Sequence, residues 1–356
     1  MVGKLAKGLS VSFLAFVLLF SVMGTGKKVE AKGVKTLLGA GATFPYPLYS
    51  KWFDVYYKKT GIKVNYQAIG SGGGIRQLLN RTVDFGGTDA FMSDEEMAKA
   101  PGKIVHIPTT LGAVVVAYNL PGKPALRLSP DVLAGIFLGK ITKWNDPSIC
   151  KLNPDVNLPS MKIIVVHRSD GSGTTNIFTD YLSKVSPEWR QKVGKGKSVN
   201  WPVGLGGKGN PGVAGLITQI PGSIGYVELA YAKENHLPVA ALQNKAGRFI
   251  KPSLASVSAA ANVPLPPDTR VSITNTDAPD GYPISGFTWI ILYKEQHYSG
   301  RSKARAKALV DLLWWCVHDA QKYNEALLYG KLPRAAVKQD EKILKSVTYD
   351  GKPILR

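Results

Sequence analysis

Three clusters of glycine, serine and threonine each stand directly before a helical pattern, and residues of these types can hold an oxyanion. The clusters occupy residues 39–45, 70–74 and 168–175. Glycine lets the backbone approach a bound group closely, and the free N–H groups of a first helical turn attract negative charge. Serine and threonine add hydroxyl donors. If the three helix starts meet in one cleft, they would surround a compact tetrahedral anion.

Arg168 opens the third cluster and adds a planar charged group that suits an oxyanion. Asp170 follows two residues later and is interpreted either as the partner that orients this guanidinium or as a simple turn residue. A single cluster of this kind is most often only a turn with a helix cap. The prediction of an anion site therefore depends on all three clusters together.

Asp89 follows the predicted strand 83–86 and precedes a predicted capping box formed by Ser93 and Glu96. Taken alone, an aspartate in this position is most often a turn residue. Inside an anion site, a carboxylate repels a fully deprotonated anion but accepts a hydrogen bond from one that still carries a proton. Asp89 would therefore favour phosphate over sulfate.

Short β-rich runs alternate with helical patterns along the chain, which is typical of βαβ units around a parallel or mixed sheet. Strands are predicted at 63–67, 83–86, 103–107, 113–118, 162–166 and 287–293. Helices are predicted at 75–80, 93–100, 129–137, 174–184 and 302–328. The segment 253–280 contains small residues and prolines and is interpreted as irregular. Two α/β lobes fit this layout.

The composition is that of a globular protein. At roughly 100 to 200 residues per domain, the 356 residues predict about two domains. Apolar residues make up 44% and charged residues 20%, which excludes an intrinsically disordered chain. The net charge of +20 is compatible with nucleic acid, anionic membranes or small anions as partners, and its sign does not choose between them.

Residues 1–31 have the pattern of a secretory signal peptide. Lys4 and Lys7 form a basic start, an apolar run follows at 9–23, and small residues stand near a cleavage point at 29–31. The run is shorter than the roughly 20 apolar residues that a membrane-spanning helix needs. Because no cysteine lies near the cleavage point, lipid attachment there is not expected. The mature protein is therefore predicted to be soluble in a periplasm or outside the cell.

The sequence does not indicate a metal centre or a catalytic site. Cys150 and Cys316 are far apart and are predicted to be free thiols. The five histidines lack metal-ligand spacing: His106, His167, His236, His297 and His318. A secreted hydrolase with Ser71 or Ser172 as nucleophile is an alternative, but neither serine lies in a GxSxG motif. We predict no catalytic residue, metal ligand or cofactor.

Two glycine-rich segments could instead indicate nucleotide binding. Residues 204–209 match GxGxxG, but residues 210–212 read Asn-Pro-Gly where a dinucleotide fold needs an immediate helix. Residues 196–198 resemble the end of a P-loop, but position 191 is glutamine rather than the opening glycine. Both segments are interpreted as loops. A charge-driven surface or adhesion role is a further alternative.

These motifs together resemble the periplasmic phosphate-binding proteins of Pst-type ABC transporters. The resemblance runs from about residue 38 to the C-terminus, through GAGATFPYPLYSKW, VNYQAIGSGGG, VDFGGTDA, GKITKWND, RSDGSGTT and WPVGLGGKGN. The ligand positions of the family fall on Thr43, Phe44, Ser71, Asp89, Arg168, Ser172, Gly173 and Thr174. The second cluster has Ser71-Gly72 where many relatives have two serines, which implies a modest difference in affinity.

The resemblance implies a type II, hinge-closing periplasmic-binding-protein fold of the α/β class, with mixed sheets flanked by helices. Residues 32–111 and 284–356 would form lobe I, and residues 112–283 would form lobe II. Inorganic phosphate would be captured between the lobes and delivered to the membrane permease of an ABC transporter. A monomer that binds no nucleic acid is expected. Another tetrahedral oxyanion, or a basic surface role on the same scaffold, is the alternative.

Overall fold

A mixed eight-stranded sheet, flanked by helices, organises the chain. The computed structural model describes residues 34–355, so the predicted signal peptide at 1–31 lies outside the described residues. The strands are β1 (Thr36–Gly41), β2 (Lys63–Ala68), β3 (Phe85–Thr88), β4 (Ile104–Tyr118), β5 (Arg127–Leu128), β6 (Ile164–Arg168), β7 (Leu205–Gly207), β8 (Ser223–Glu228), β9 (Ala241–Gln243), β10 (Phe249–Ile250), β11 (Ser285–Tyr293), β12 (Thr348–Tyr349) and β13 (Lys352–Pro353). The order in the large sheet is β2-β1-β3-β11-β4-β8-β6-β7.

Helices cover this sheet and form most of the connections between its strands. They are α1 (Tyr46–Thr60), α2 (Ser71–Leu79), α3 (Asp94–Ala98), α4 (Pro130–Phe137), α5 (Pro147–Leu152), α6 (Gly173–Val185), α7 (Pro187–Lys192), α8 (Gly209–Gln219), α9 (Leu229–Glu234), α10 (Leu254–Ala260), α11 (Lys303–Val317) and α12 (Arg334–Lys345). Two 3₁₀ helices follow α11, at Asp319–Tyr323 and Glu325–Leu327. The mixed α/β fold class predicted from the sequence is confirmed.

The 15-residue strand β4 belongs to both halves of the large sheet. It pairs with β11 from Ile104 to Ala113 and with β8 from Val114 to Tyr118. Nearly all of its side chains are buried, because both of its faces are covered. The sequence analysis predicted two shorter strands here, at 103–107 and 113–118, and that prediction is wrong. The intervening Pro-Thr-Thr-Leu-Gly segment stays extended because β11 pairs along it.

Two sets of parallel strands run toward each other, so that their carboxyl ends meet near the middle of β4. β1 pairs in parallel with β2 and β3, and β6 pairs in parallel with β7 and β8. The first cluster follows β1, Asp89 follows β3, and Arg168 ends β6. In sheets of this kind, ligands bind beyond the carboxyl ends of the strands. The strand arrangement therefore places the predicted site residues in a common region.

Two predicted helix boundaries are wrong for tertiary reasons. Helix α2 begins at Ser71, so the second cluster forms its first turn and not a loop before 75. The glycines are needed there because a Cβ atom on Gly74 would lie 2.5 Å from the carbonyl oxygen of Ala40. The predicted helix 302–328 ends as an α-helix at Val317, since His318 leaves the helical conformation. The side chain of Gln321 then donates hydrogen bonds to the carbonyl oxygens of Cys316 and Thr109.

The segment 253–280 is less irregular than predicted, because α10 lies within it. Ser253 and Ser256 form a reciprocal cap at its start, which satisfies backbone N–H groups that the small residues alone would leave free. The capping box of Ser93 and Glu96 at α3 is confirmed, as is the Ser129 cap of α4. Cys150 and Cys316 are both free thiols.

Between residues 34 and 355, none of the helices has the length and apolar character required to cross a membrane.

Candidate anion-binding site

The structure brings the predicted residues of all three clusters together. We call this set the candidate site: Thr43, Phe44, Ser71, Asp89, Arg168, Ser172, Gly173 and Thr174. The Oγ of Ser71 lies 3.2 Å from the backbone nitrogen of Asp89 and 3.1 Å from that of Gly173. Arg168 donates to the Oγ1 of Thr174 at 3.2 Å. The side chains of Thr43, Ser71, Asp89 and Arg168 are all buried.

Three hydroxyl groups of the candidate site each accept two N–H bonds. Ser71 accepts from the backbone N–H groups of Asp89 and Gly173. Thr43 accepts from the backbone nitrogen of Asn210 at 3.1 Å and from its side-chain amide at 2.9 Å. Thr174 accepts from Arg168 and from the same amide of Asn210 at 3.1 Å. Since a hydroxyl oxygen has two acceptor lone pairs, both are occupied in each case.

The protons of these three hydroxyls are therefore left to donate. Within residues 34–355, the hydroxyl protons of Thr43, Ser71 and Thr174 have no acceptor. A buried hydroxyl whose lone pairs are both occupied can make one more hydrogen bond only by donating its proton to an acceptor. Three such donors in one place are suited to the oxygen atoms of an anion.

Arg168 is held by Asp170 in a two-bond, planar arrangement. Its Nε and Nη2 donate to the two carboxylate oxygens at 2.8 and 2.6 Å. Partial burial alone would raise the pKa of Asp170, but the hydrogen bonds and charge of Arg168 outweigh it, and the pKa is lowered. Asp170 also accepts from the backbone nitrogen of Gly209 at 3.0 Å. The interpretation of Asp170 as the residue that orients Arg168 agrees with this geometry.

Asp89 is buried and only half satisfied. Its Oδ1 accepts from the hydroxyl of Thr288 at 2.8 Å. Its Oδ2 has no hydrogen-bond partner among residues 34–355. Burial raises the pKa of Asp89 to about 7, although the bond from Thr288, the charge of Arg168 and the nearby hydroxyl of Ser71 lower it in part. The free Oδ2 is therefore an acceptor in a region otherwise built from donors.

Of the three remaining predicted residues, Gly173 donates its backbone N–H to Ser71, whereas Ser172 caps a helix and Phe44 offers a backbone N–H. The Oγ of Ser172 accepts from the backbone nitrogen of Thr175 at 3.0 Å and so caps α6. The carbonyl oxygen of Phe44 accepts from the hydroxyl of Tyr329 at 2.7 Å, and the two rings are in edge contact. Within the described chain, the backbone N–H of Phe44 has no acceptor. That N–H is the group through which Phe44 can meet a ligand.

Asn210 is a site residue that sequence reasoning missed. It is fully buried, links Thr43 to Thr174, and accepts from the backbone nitrogen of Glu228 at 2.9 Å. The segment 204–209 before it was interpreted as a loop, and this is wrong, because β7 lies within it and α8 begins at Gly209. The glycine-rich pattern of residues 204–209 was the feature of the sequence that could have indicated a site residue next to it. The segment 196–198 is a loop, as predicted.

Replacement of Asn210 by alanine is expected to destabilise the protein by about 1 to 3 kcal/mol, because the buried N–H of Glu228 loses its acceptor. Chemical denaturation of the two proteins measures the difference. Asn235→Ala is the control, since its amide bonds a carbonyl oxygen in a partly exposed place and its loss should cost less. Equal stability of the Asn210→Ala variant and the wild type would contradict the linking role.

Comparison with known proteins places this geometry in a family. The sequence matches the PBP superfamily domain over residues 26–314. It is 48% identical to the phosphate-binding protein PstS of Pasteurella multocida over 310 residues, which cover 86% of this chain and 88% of that protein. The chain belongs to the PstS family. The PstS protein of Methanocaldococcus jannaschii is 43% identical over 304 residues, covering 79% of this chain and 78% of the relative.

Solved structures support the fold of this PstS family member. A high-affinity periplasmic phosphate-binding protein, PfluDING, solved with phosphate bound, matches with a TM-score of 0.69. It is 23% identical, and the match covers 86% of this chain and 93% of that one. A phosphate-binding protein from Stenotrophomonas maltophilia matches with a TM-score of 0.62 at 19% identity, covering 85% and 92%. The predicted periplasmic-binding-protein fold is confirmed.

Proposed function

We propose that this protein captures inorganic phosphate at the candidate site and delivers it to the membrane permease of an ABC transporter. The single observation that carries the proposal is the set of three buried hydroxyls whose lone pairs are occupied and whose protons are free to donate. Membership of the PstS family supports phosphate as the anion. The phosphate-binding residues in this proposal are the eight residues of the candidate site.

Asp89 would select phosphate through the proton that phosphate retains. Its Oδ2 has no partner within the described residues and can accept a hydrogen bond from a protonated phosphate oxygen. Sulfate carries no proton at neutral pH, so its oxygen would face this carboxylate with like charge. The neighbouring donors serve the other phosphate oxygens.

Asp89→Asn tests the function and this selection together. Calorimetric titration of residues 32–356 above pH 7, after ligand removal by unfolding and refolding, should show tight phosphate binding and negligible sulfate binding for the wild type. A hydrogen bond to a charged group contributes about 1.5 to 3 kcal/mol, so the variant should lose roughly 10- to 100-fold in phosphate affinity. It should also bind sulfate, because the repelling charge is gone.

The pH dependence has a definite sign. Because the pKa of Asp89 is raised to about 7, the carboxylate gains its proton as the pH falls through that value. Sulfate binding by the wild type should therefore increase below pH 7 and disappear above it. The Asp89→Asn variant should show no such change.

Asp340→Asn is the matched control for these titrations. Asp340 is also fully buried, and burial alone raises its pKa well above the usual range. It lies on α12 and is not a member of the candidate site. Loss of selectivity in both variants would contradict the assignment to Asp89, and a folded wild type that binds neither anion would contradict the function.

We further propose that phosphate closes two lobes, with lobe I at 32–111 and 284–356 and lobe II at 112–283. The contact of Ser71 with Gly173 and the contact of Thr43 with Asn210 would then join the lobes. A ligand that bridges both sets of donors stabilises the closed form, since only that form offers all of them. Identical small-angle scattering curves with and without phosphate would contradict this proposal.

The remaining expectations follow from the same function. Residues 1–31 would direct export and be removed, which leaves a periplasmic protein without a lipid anchor that acts as a monomer and binds no nucleic acid. A hydrolase is a weaker alternative, because neither Ser71 nor Ser172 bonds a histidine within residues 34–355. Incubation of the purified protein with a phosphate ester would reveal turnover if that alternative were correct.

A further inference from the structure

A second cleft lies at the opposite end of β3 from the candidate site. It has a volume of about 340 Å³ and is lined by Leu38, residues 81–84, residues 298–302 and Arg305. We call it the arginine cleft. Residues 81–84 precede β3, whereas Asp89 follows the carboxyl end of the same strand. The antiparallel neighbour β11 likewise ends at Tyr293, on the side of the arginine cleft. The two regions are therefore separate.

The arginine cleft carries an excess of positive charge. Its charged lining residues are Arg81, Arg301, Arg305 and Asp84, which is three cations against one anion. Asp84 pairs with Arg301 and, at 2.6 Å, with the Nη2 of Arg305. It also accepts from the backbone nitrogen of Leu38 at 2.6 Å. One carboxylate is thus shared by two guanidinium groups, and Arg81 has no carboxylate partner in the described part of the chain.

Several donors around this cleft lack partners. Within residues 34–355, the Nε and Nη2 of Arg301, the Nε of Arg81 and the hydroxyl of Tyr298 have no hydrogen-bond acceptor. The side chain of Arg301 is only 6% exposed, so water does not readily replace the missing acceptors. The guanidinium groups of Arg81 and Arg301 lie 5.2 and 5.6 Å from the ring centre of Tyr298. Three of these four groups are guanidinium N–H donors, and the hydroxyl of Tyr298 can also donate, so an acceptor-rich partner would satisfy all of them.

We propose that the arginine cleft is a second anion site, which binds an oxyanion with at least two negative charges, such as pyrophosphate or a phosphate monoester. Two charges match the excess of arginine over aspartate in the lining. Guanidinium groups pair with adjacent oxygen atoms of such anions in a planar, two-bond geometry. Ser302, the N-cap residue of α11, also lines the cleft, and this helix of 15 residues therefore directs the positive end of its dipole toward it.

The size of the cleft favours an anion larger than a single phosphate ion. A volume of about 340 Å³ falls within the range of small-molecule pockets, which begins near 300 Å³. The donors are also distributed over the loop before β3 and the start of α11 rather than gathered at one point. An anion with two phosphoryl groups, or with one phosphoryl group and an organic part, can reach both.

Titration with pyrophosphate tests the proposal. Calorimetry should show one equivalent of pyrophosphate bound by the Arg168→Gln variant, in which the candidate site is disabled. Arg305→Gln, made in the same background, should weaken this binding at least tenfold. Arg248→Gln is the matched control, because Arg248 is an exposed arginine that pairs with Asp280 outside the cleft. It should bind pyrophosphate as the parent does.

A second variant separates ligand binding from structural support. Asp84→Asn removes the only carboxylate that lines the arginine cleft in the described chain, so it should bind pyrophosphate more tightly while its thermal stability falls. A purely structural role of the arginines predicts lower stability and no gain in affinity. If Asp84→Asn does not fold, Arg81→Gln replaces it and should weaken binding. No pyrophosphate binding by the Arg168→Gln parent, or an equal loss in Arg305→Gln and Arg248→Gln, would overturn the proposal.

Discussion

Replacement of Arg168 by glutamine is expected to weaken phosphate binding by about 2 to 5 kcal/mol, or roughly 30- to 5,000-fold. The guanidinium is buried, and its two bonds to Asp170 hold it in a single orientation. Glutamine carries no charge and cannot make the planar pair, so Asp170 is left partly buried without its cation. Phosphate then loses an attractive charge and meets a repulsive one.

Calorimetric titration with phosphate measures this loss. Arg270→Gln is the matched control, because Arg270 is mostly buried and pairs with Asp94 and Asp268 outside the candidate site. Its loss should lower thermal stability but leave phosphate affinity unchanged. An Arg168→Gln variant with wild-type affinity would show that phosphate does not contact this part of the molecule.

Replacement of Gly173 by alanine is expected to reduce phosphate affinity by roughly 5- to 150-fold, which corresponds to the cost of about 1 to 3 kcal/mol for overpacking. A Cβ atom at this position would lie 2.5 Å from the Oγ of Ser71 and 2.6 Å from the Oδ2 of Asp89. The added methyl group would therefore separate the second and third clusters. Gly173 lies against Ser71 and Asp89 only when the clusters are together, so the methyl group should lower phosphate affinity.

Gly215→Ala provides the matched control for this prediction. Gly215 lies within α8, and a Cβ atom there has open space around it within 4 Å. Alanine is a better helix former than glycine by about 1 kcal/mol, so this variant should be as stable as the wild type or more so, with unchanged phosphate affinity. The Gly173→Ala prediction is wrong if its phosphate titration matches that of Gly215→Ala.

Local order along the chain made much of the candidate site predictable. Arg168 and Asp170 are two residues apart, and the local turn that follows β6 is enough to bring their side chains together. The cap of α6 by Ser172 is equally local, since it joins residues three positions apart. Glycine, serine and threonine before a helix most often form only a turn and a cap, so it was the three clusters together that indicated an anion site.

Contacts between distant residues could not be read in this way. Thr288 bonds Asp89 across 199 positions, and Asn210 bonds Thr43 across 167 positions. Neither residue stands out by type, because buried threonine and asparagine are common in turns and caps. The starts of α2 and α8 were also misjudged: Gly74 in α2 is explained by its close approach to the backbone of Ala40, whereas Gly209 at the start of α8 is explained by its positive φ.

By itself the sequence determined the α/β class, the capped starts of α3 and α4, the paired Arg168 and Asp170, and the family through its ordered motifs. Only the tertiary structure decided which lone pairs are already occupied. That decision leaves the hydroxyls of Thr43 and Ser71 as donors and the Oδ2 of Asp89 as an acceptor. The residue type fixes how many hydrogen bonds a side chain can donate and accept. The fold determines which of these are already made with neighbouring groups, and therefore which donors and acceptors are left for a ligand.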